Sequence, residues 1–248
     1  GLNNFREFLT DGEFLRSLRN TVIFSLGKLA LQFPMAIMLA LALNELQHAR
    51  IKKIYQTVFT FPHFISWVVM AGILKNMFAS NGVINQLLTV WGMESVSPLL
   101  SLTGFRPFIW FSNIWKEAGW DTIIYMAALA GIDPGLYEAA EIDGANRWRK
   151  IWHITLPGIR STILIMLILE IGRIMTTGAS FDQVFNLYSS PVYEVADTID
   201  TYIYRTSFGG TKNFGYTTAE GLSKSVIGVL MMLGANRLET ACGEDGLF

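Results

Sequence analysis

Five apolar runs, each close to the roughly 20 residues that cross a bilayer core as a helix, dominate this chain of 248 residues. They lie at about 20–43, 57–78, 107–129, 161–178 and 217–234. Between them sit polar stretches rich in Gly, Ser, Asn and charge. Charged residues make up only 16% of the chain, against about 25% in soluble domains. The expected fold is therefore all-α: one polytopic helical membrane domain spanning 1–248. Pro34 marks a kink in the first span, because proline lacks the N–H that a helix interior needs, and the second span contains Pro62 and Lys75. A single cysteine, Cys242, excludes an intrachain disulfide and any cysteine-based zinc site. His48, His63 and His153 are scattered, so no metal site is read, and no basic tract points to nucleic acid.

The polar stretch at 132–158 is the most organised of the loops. Asp133-Pro134 starts a helix, with Asp as N-cap and Pro at the first position. Tyr137, Glu138, Ala139, Ala140 and Glu141 propagate it. Gly144 ends or bends it, since glycine takes positive φ without a Cβ penalty. A second short helix is expected over 145–153, carrying Arg147, Arg149 and Lys150 beside Trp148 and Ile151, with Pro157 as its stop.

This stretch resembles the cytoplasmic loop signature of binding-protein-dependent ABC importer permeases: Glu-Ala-Ala, three residues, Gly, nine residues, Ile, any residue, Leu-Pro. Glu138, Ala139, Ala140, Gly144, Ile154, Leu156 and Pro157 fill every defined position. Asn20-Thr-Val-Ile-Phe, Leu41-Ala-Leu-Asn-Glu45, Trp115-Lys-Glu-Ala-Gly-Trp120 and Ala235-Asn-Arg237 look like the sugar-importing branch. Phe61 to Trp67, Val195 to Arg205 and Lys224 to Gly228 are similar to permeases for oligosaccharides and polysaccharide fragments. Glu170, Arg173 and Glu220 depart from the apolar or small residues expected there.

The resemblance implies a type I permease fold of six spans, so a further span is expected ahead of Gly1. It also implies that 138–157, with Asp143 and Ala145, is a coupling helix docking on an ATP-hydrolysing subunit. Ala139 and Ala140 would permit close approach, Glu138 and Asp143 would offer charge-assisted hydrogen bonds, and Gly144 would set the bend. Arg147, Arg149 and Lys150 could equally hold the loop at lipid headgroups. No Gly-x-x-x-x-Gly-Lys-[Ser/Thr] phosphate loop occurs, so ATP and Mg belong on the partner and no catalysis is expected here. The implied partners are a second permease subunit, two ATP-binding subunits and an extracytoplasmic sugar-binding protein, all at a bacterial plasma membrane.

The charge count gives the same sidedness independently. Arg50, Lys52, Lys53, Arg147, Arg149, Lys150, Arg160 and Arg237 are denser on one set of segments than Arg6, Arg16, Arg19, Arg106, Arg205 and Lys212 on the other. The positive-inside rule makes the first set cytoplasmic, along with the C-terminus.

Charges inside a bilayer usually face protein or water. Trp115, Lys116, Glu117, Trp120 and Asp121 cluster on the third span. Two readings fit: a hydrated sugar path with Trp110, Trp115 and Trp120 as apolar platforms, or an interhelical ion-pair network with packing tryptophans. Glu170 with Arg173, and Glu220 with Lys224, are spaced to neutralise each other, and Lys28 and Lys75 to snorkel toward the interface. Residues 181–216 read as a polar, tyrosine-rich external loop. The rival to an ATP-driven permease is an ion- or proton-coupled secondary transporter using Glu117, Asp121 and Glu170.

Overall fold

The computed structural model describes residues 2–174, 180–209 and 214–241, and its regular elements are helices and helical turns. The end of the fourth expected span and the 210–213 stretch lie outside the described residues. Helix α1 (Leu2–Thr10) meets α2 (Gly12–Asn44) at Asp11, whose side chain caps α2 by accepting from the Glu13 N–H at 2.8 Å. Helix α2 begins well before the expected start at 20 and carries Pro34 in its interior.

The second expected span is not one rod. Helix α3 (Ala49–Thr60) runs into a 3₁₀ turn at Phe61–Phe64, and α4 (Trp67–Met77) leaves at 98°. Pro62 interrupts the donor ladder, and the Ser66 hydroxyl accepts from the Val69 N–H to start a new helix. An apolar run that continues through both halves conceals this corner. A short helix α5 (Val83–Val90) follows.

Helix α6 (Phe105–Ala130) matches the third expected span and packs most extensively on α2. Small and hydroxylated residues line the contact. Thr122 Oγ1 donates to the Ala36 carbonyl at 3.3 Å and to the Ala118 carbonyl at 2.7 Å, the kind of close helix contact that bilayers favour. Gly119 brings α6 against the end of α3: a Cβ there would lie 2.1 Å from the Phe59 carbonyl oxygen.

The loop at 132–158 is wholly helical. Helix α7 (Pro134–Ile142) is followed by α8 (Arg147–Lys150), a π turn (Ile151–Thr155) and α9 (Leu156–Gly158). The expected 145–153 helix thus starts later, because Asn146 caps α8 by accepting from the Arg149 N–H at 2.9 Å. Pro157 sits in the first turn of α9 instead of ending a helix. Helix α10 (Arg160–Gly172) departs from the 147–158 segment at 61°.

The described residues of the 181–216 stretch are not an ordinary solvated loop. Helices α11 (Phe181–Leu187), α12 (Tyr193–Ala196) and α13 (Ile199–Phe208), with a 3₁₀ turn at Ser190–Val192, bury Val184, Leu187, Val192, Ala196 and Ile199. The first four join Phe24, Met70, Phe105 and Phe108 in the largest apolar cluster. Gln183 Nε2 donates to the Ile109 carbonyl at 2.8 Å, and Asn20 Nδ2 to the Asp197 carbonyl at 2.9 Å. Helix α14 (Phe214–Ala241) contains the fifth expected span. The expected pairing of Glu220 with Lys224 is replaced: Lys224 Nζ reaches Asp200 on α13, and Glu220 is fully buried.

By length and composition, α2 qualifies as a membrane-crossing helix, and the bent pairs Ala49–Phe64 with Trp67–Met77 and Arg147–Gly158 with Arg160–Gly172 each qualify when joined. Helix α6 is long enough but carries Arg106, Lys116, Glu117 and Asp121.

Candidate coupling loop and translocation lining

Helix α7 stands clear of the bundle, with no residue buried. Asp133 Oδ1 accepts from the Gly135 N–H at 2.9 Å at its start. Gly144 follows its end at φ +72°, a left-handed conformation that a side chain strains. The Ala145 N–H then donates back to the Ala140 carbonyl at 2.8 Å, closing the turn. Glu138, Ala139 and Asp143 are exposed, and Ile142 reaches 89% exposure. Ala140, Ala145, Ile154 and Leu156 are half-buried, and Pro157 is exposed.

Two side-chain contacts fix α7 to the 147–155 segment. Tyr137 Oη lies 3.0 Å from Thr155 Oγ1. Lys150 Nζ pairs with Glu141 Oε1 at 2.7 Å, and that hydrogen bond and the charge of Lys150 hold the Glu141 carboxyl below its ordinary value. The motif residues therefore belong to one braced knob.

The charged residues of α6 divide between two places. Lys116 is buried, its Nζ donating to the His63 carbonyl at 2.7 Å and pairing with Glu117 Oε1 at 3.0 Å. Glu117 Oε2 meets His63 Nδ1 at 2.6 Å. The His63 ring stacks on Trp120 with centroids 4.2 Å apart and planes 5° from parallel, and Phe64 meets the same indole edge-on. Lys116 also lies 5.5 Å from the Trp67 ring centre, within cation–π range. The α3–α4 corner thus delivers His63 and Phe64 to α6, leaving Trp120 42% exposed.

Asp121 turns the other way. Gln32 Nε2 donates to Asp121 Oδ2, while Gln32 Oε1 accepts from Asn113. Lys28, Gln32, Asp121, Tyr125, Met166 and Glu170 line a cavity of about 20 Å³ between α2, α6 and α10, room for about one water. Lys28 therefore faces the bundle interior rather than snorkelling. Trp110 is a packing residue, its Nε1 donating to the Phe24 carbonyl at 3.2 Å, whereas Trp115 is exposed with Phe111 on the outer surface of α6. His63, Phe64 and Gln32 escaped the sequence reading of this region. The signal for His63 was a polar residue beside proline in an apolar run.

Residues 32–241 match the family described as the binding-protein-dependent transport system inner membrane component. The chain belongs to that family. This transport component is 42% identical over 249 residues to the polygalacturonan/rhamnogalacturonan transport system permease protein YteP of Bacillus subtilis (strain 168), covering all of this chain and 77% of the relative. It is 31% identical over 222 residues to the lactose transport system permease protein LacF of Rhizobium radiobacter, covering 87% of this chain and 72% of that one. Its backbone matches a chain in the crystal structure of a bacterial alginate ABC transporter in complex with alginate pentasaccharide-bound periplasmic protein. That match has a TM-score of 0.94 and 39% identity and covers 100% of this chain and 85% of the other. The protein is a permease subunit of an ABC importer with the type I permease fold, which disfavours the secondary-transporter reading.

Proposed function

We propose that this permease subunit imports oligosaccharides or polysaccharide fragments across a bacterial plasma membrane, driven by ATP-binding subunits that dock on the 138–157 knob. The observation that carries the coupling role is the build of α7: capped at both ends, braced through Tyr137 and Lys150, and exposing Glu138, Ala139 and Asp143. A short rigid helix transmits a push as a rigid-body movement. The saccharide class rests on the relatives that carry polygalacturonan, rhamnogalacturonan, lactose and alginate.

In this reading a second permease completes the path, two ATP-binding subunits supply ATP and Mg from the cytoplasm, and an extracytoplasmic sugar-binding protein delivers substrate. The loop and C-terminus face the cytoplasm. Trp120, with Lys116 and Glu117 held by His63, contributes to the path: aromatic faces suit sugar rings, and a pre-paired carboxylate needs no further counter-charge. Trp115 lies on the surface toward lipid or the second permease, and Asp121 sets the spacing of α2, α6 and α10.

Sugar uptake by membranes carrying Glu138→Lys or Gly144→Val tests the coupling role. Glu138→Lys reverses an exposed charge, and Gly144→Val strains the turn at φ +72°. Both are expected to abolish uptake while the protein still inserts. Normal uptake in both would overturn the assignment.

A further inference from the structure

The segment after α7 has two unlike sides. Inward, Lys150 pairs with Glu141, Thr155 is buried against Tyr137, and Ile151 and Ile154 are half-buried. Outward, Trp148, Arg149, Trp152 and His153 are all exposed, the two indoles at 71% and 64%. Trp148 and Trp152 fall on one face at i, i+4 spacing, and Arg149 joins Trp152 at i, i+3.

The outward face of a solvated helix is polar. This one presents two large indoles instead. Among the described residues no acidic side chain lies within ion-pair distance of Arg147 or Arg149. The segment runs directly into the apolar helix α10 across a 61° bend, which turns it away from the line of that helix, as a segment lying along the membrane surface would be. Tryptophan is enriched where hydrocarbon meets headgroups, and basic residues beside a membrane-crossing helix attract anionic lipid.

We propose that the outward face of residues 147–153 rests in the lipid headgroup layer, with Trp148 and Trp152 as interfacial anchors and Arg147 and Arg149 on anionic headgroups. Within the 138–157 knob, the exposed face of α7 at 138–143 and this face are separate surfaces of one braced unit. The bilayer holds one, and the other stays free for a protein partner. Lipid contact at this face is independent of which protein docks on α7.

The test uses the assembled transporter in phosphatidylcholine vesicles, with and without phosphatidylglycerol. Emission of these two indoles is taken as the difference between the parent and its W148F/W152F variant, and the single W152F variant serves if the double one fails to assemble. Lipids brominated near the headgroup end of the acyl chain are expected to quench this difference emission, more than deep-brominated lipids and more than aqueous acrylamide. Phosphatidylglycerol is expected to increase the quenching, and R147Q/R149Q to remove that increase. Quenching by acrylamide but not by brominated lipid would show a solvated face and overturn the proposal. So would emission shielded from both quenchers only when the ATP-binding subunits are present, which would assign the face to protein.

Discussion

Tyr137 Oη and Thr155 Oγ1 sit 3.0 Å apart, tying the first helix of the 134–158 loop to its last turns. Thr155 is buried and Tyr137 half-buried, so this link is shielded from competing water. Together with the Lys150–Glu141 pair, it makes one body of two short helices joined at Gly144.

Tyr137→Phe removes that link and little else. A hydrogen bond of this kind contributes about 0.5–1.5 kcal/mol, so substrate-stimulated ATP hydrolysis by the assembled transporter is expected to fall by roughly two- to tenfold. Unchanged stimulation would mean that the brace has no part in coupling.

Gly119 lets α6 touch the end of α3, whereas a Cβ on Gly72, inside α4, would meet no atom within 4 Å. Gly119→Ala is expected to destabilise the purified protein by about 1–3 kcal/mol, as overpacking does. Gly72→Ala is expected to be neutral or stabilising by roughly 0.5–1 kcal/mol, through the better helix propensity of alanine. Thermal unfolding in detergent separates the two, and equal shifts would contradict the close approach of α3 and α6.

Trp120 is covered on one face by His63 and is still partly open. If it lines the sugar path, Trp120→Ala is expected to raise the saccharide concentration for half-maximal uptake about two- to tenfold, in line with an aromatic contact of ~0.5–1.5 kcal/mol. Trp120→Phe should retain most of the affinity. Equal kinetics for parent and alanine variant would place the path elsewhere.

Asp11 supplies a pH-dependent prediction outside the spans. Burial alone would raise its pKa, but hydrogen bonds from Tyr202, the Glu13 amide, Tyr216 and the Phe14 amide bring it below the ordinary 3.8. A carboxyl depressed in the folded state stabilises the fold above its unfolded pKa, and that stability is lost as pH falls through the folded value. Tyr202→Phe is therefore expected to lower stability at neutral pH and to flatten the further loss on acidification. Unfolding midpoints at pH 7 down to 3 check this. Parallel curves for variant and parent would contradict it.

Local chemistry was legible in the sequence where it acts alone. Asp133-Pro134 starting a helix and Gly144 ending it required only neighbouring residues, and both stand in the structure. The corner after Thr60 was not legible, because Phe59 to Val69 is apolar on both sides of Pro62 and hydropathy carries no direction. The burial of α11 to α13 was masked by their tyrosines and acids, since Val184, Leu187, Val192 and Ala196 form a continuous face only after folding onto Phe24 and Met70. His63 lies far from Glu117 in the chain, so their meeting needed the corner itself. Lys224 had two acids within reach, and packing of α13 on α14 selected Asp200 over Glu220.

Coupling through the exposed face of α7 is tested most directly by cross-linking. In a background with Cys242 replaced by serine, Ala139→Cys is treated with a short bis-maleimide in the assembled transporter carrying one cysteine at the docking groove of the ATP-binding subunit. The expected result is a cross-linked species joining the two subunits, formed to different extents with and without ATP, and absent from a Val90→Cys control. No cross-link from position 139, in a complex that still hydrolyses ATP in response to substrate, would contradict coupling through this face.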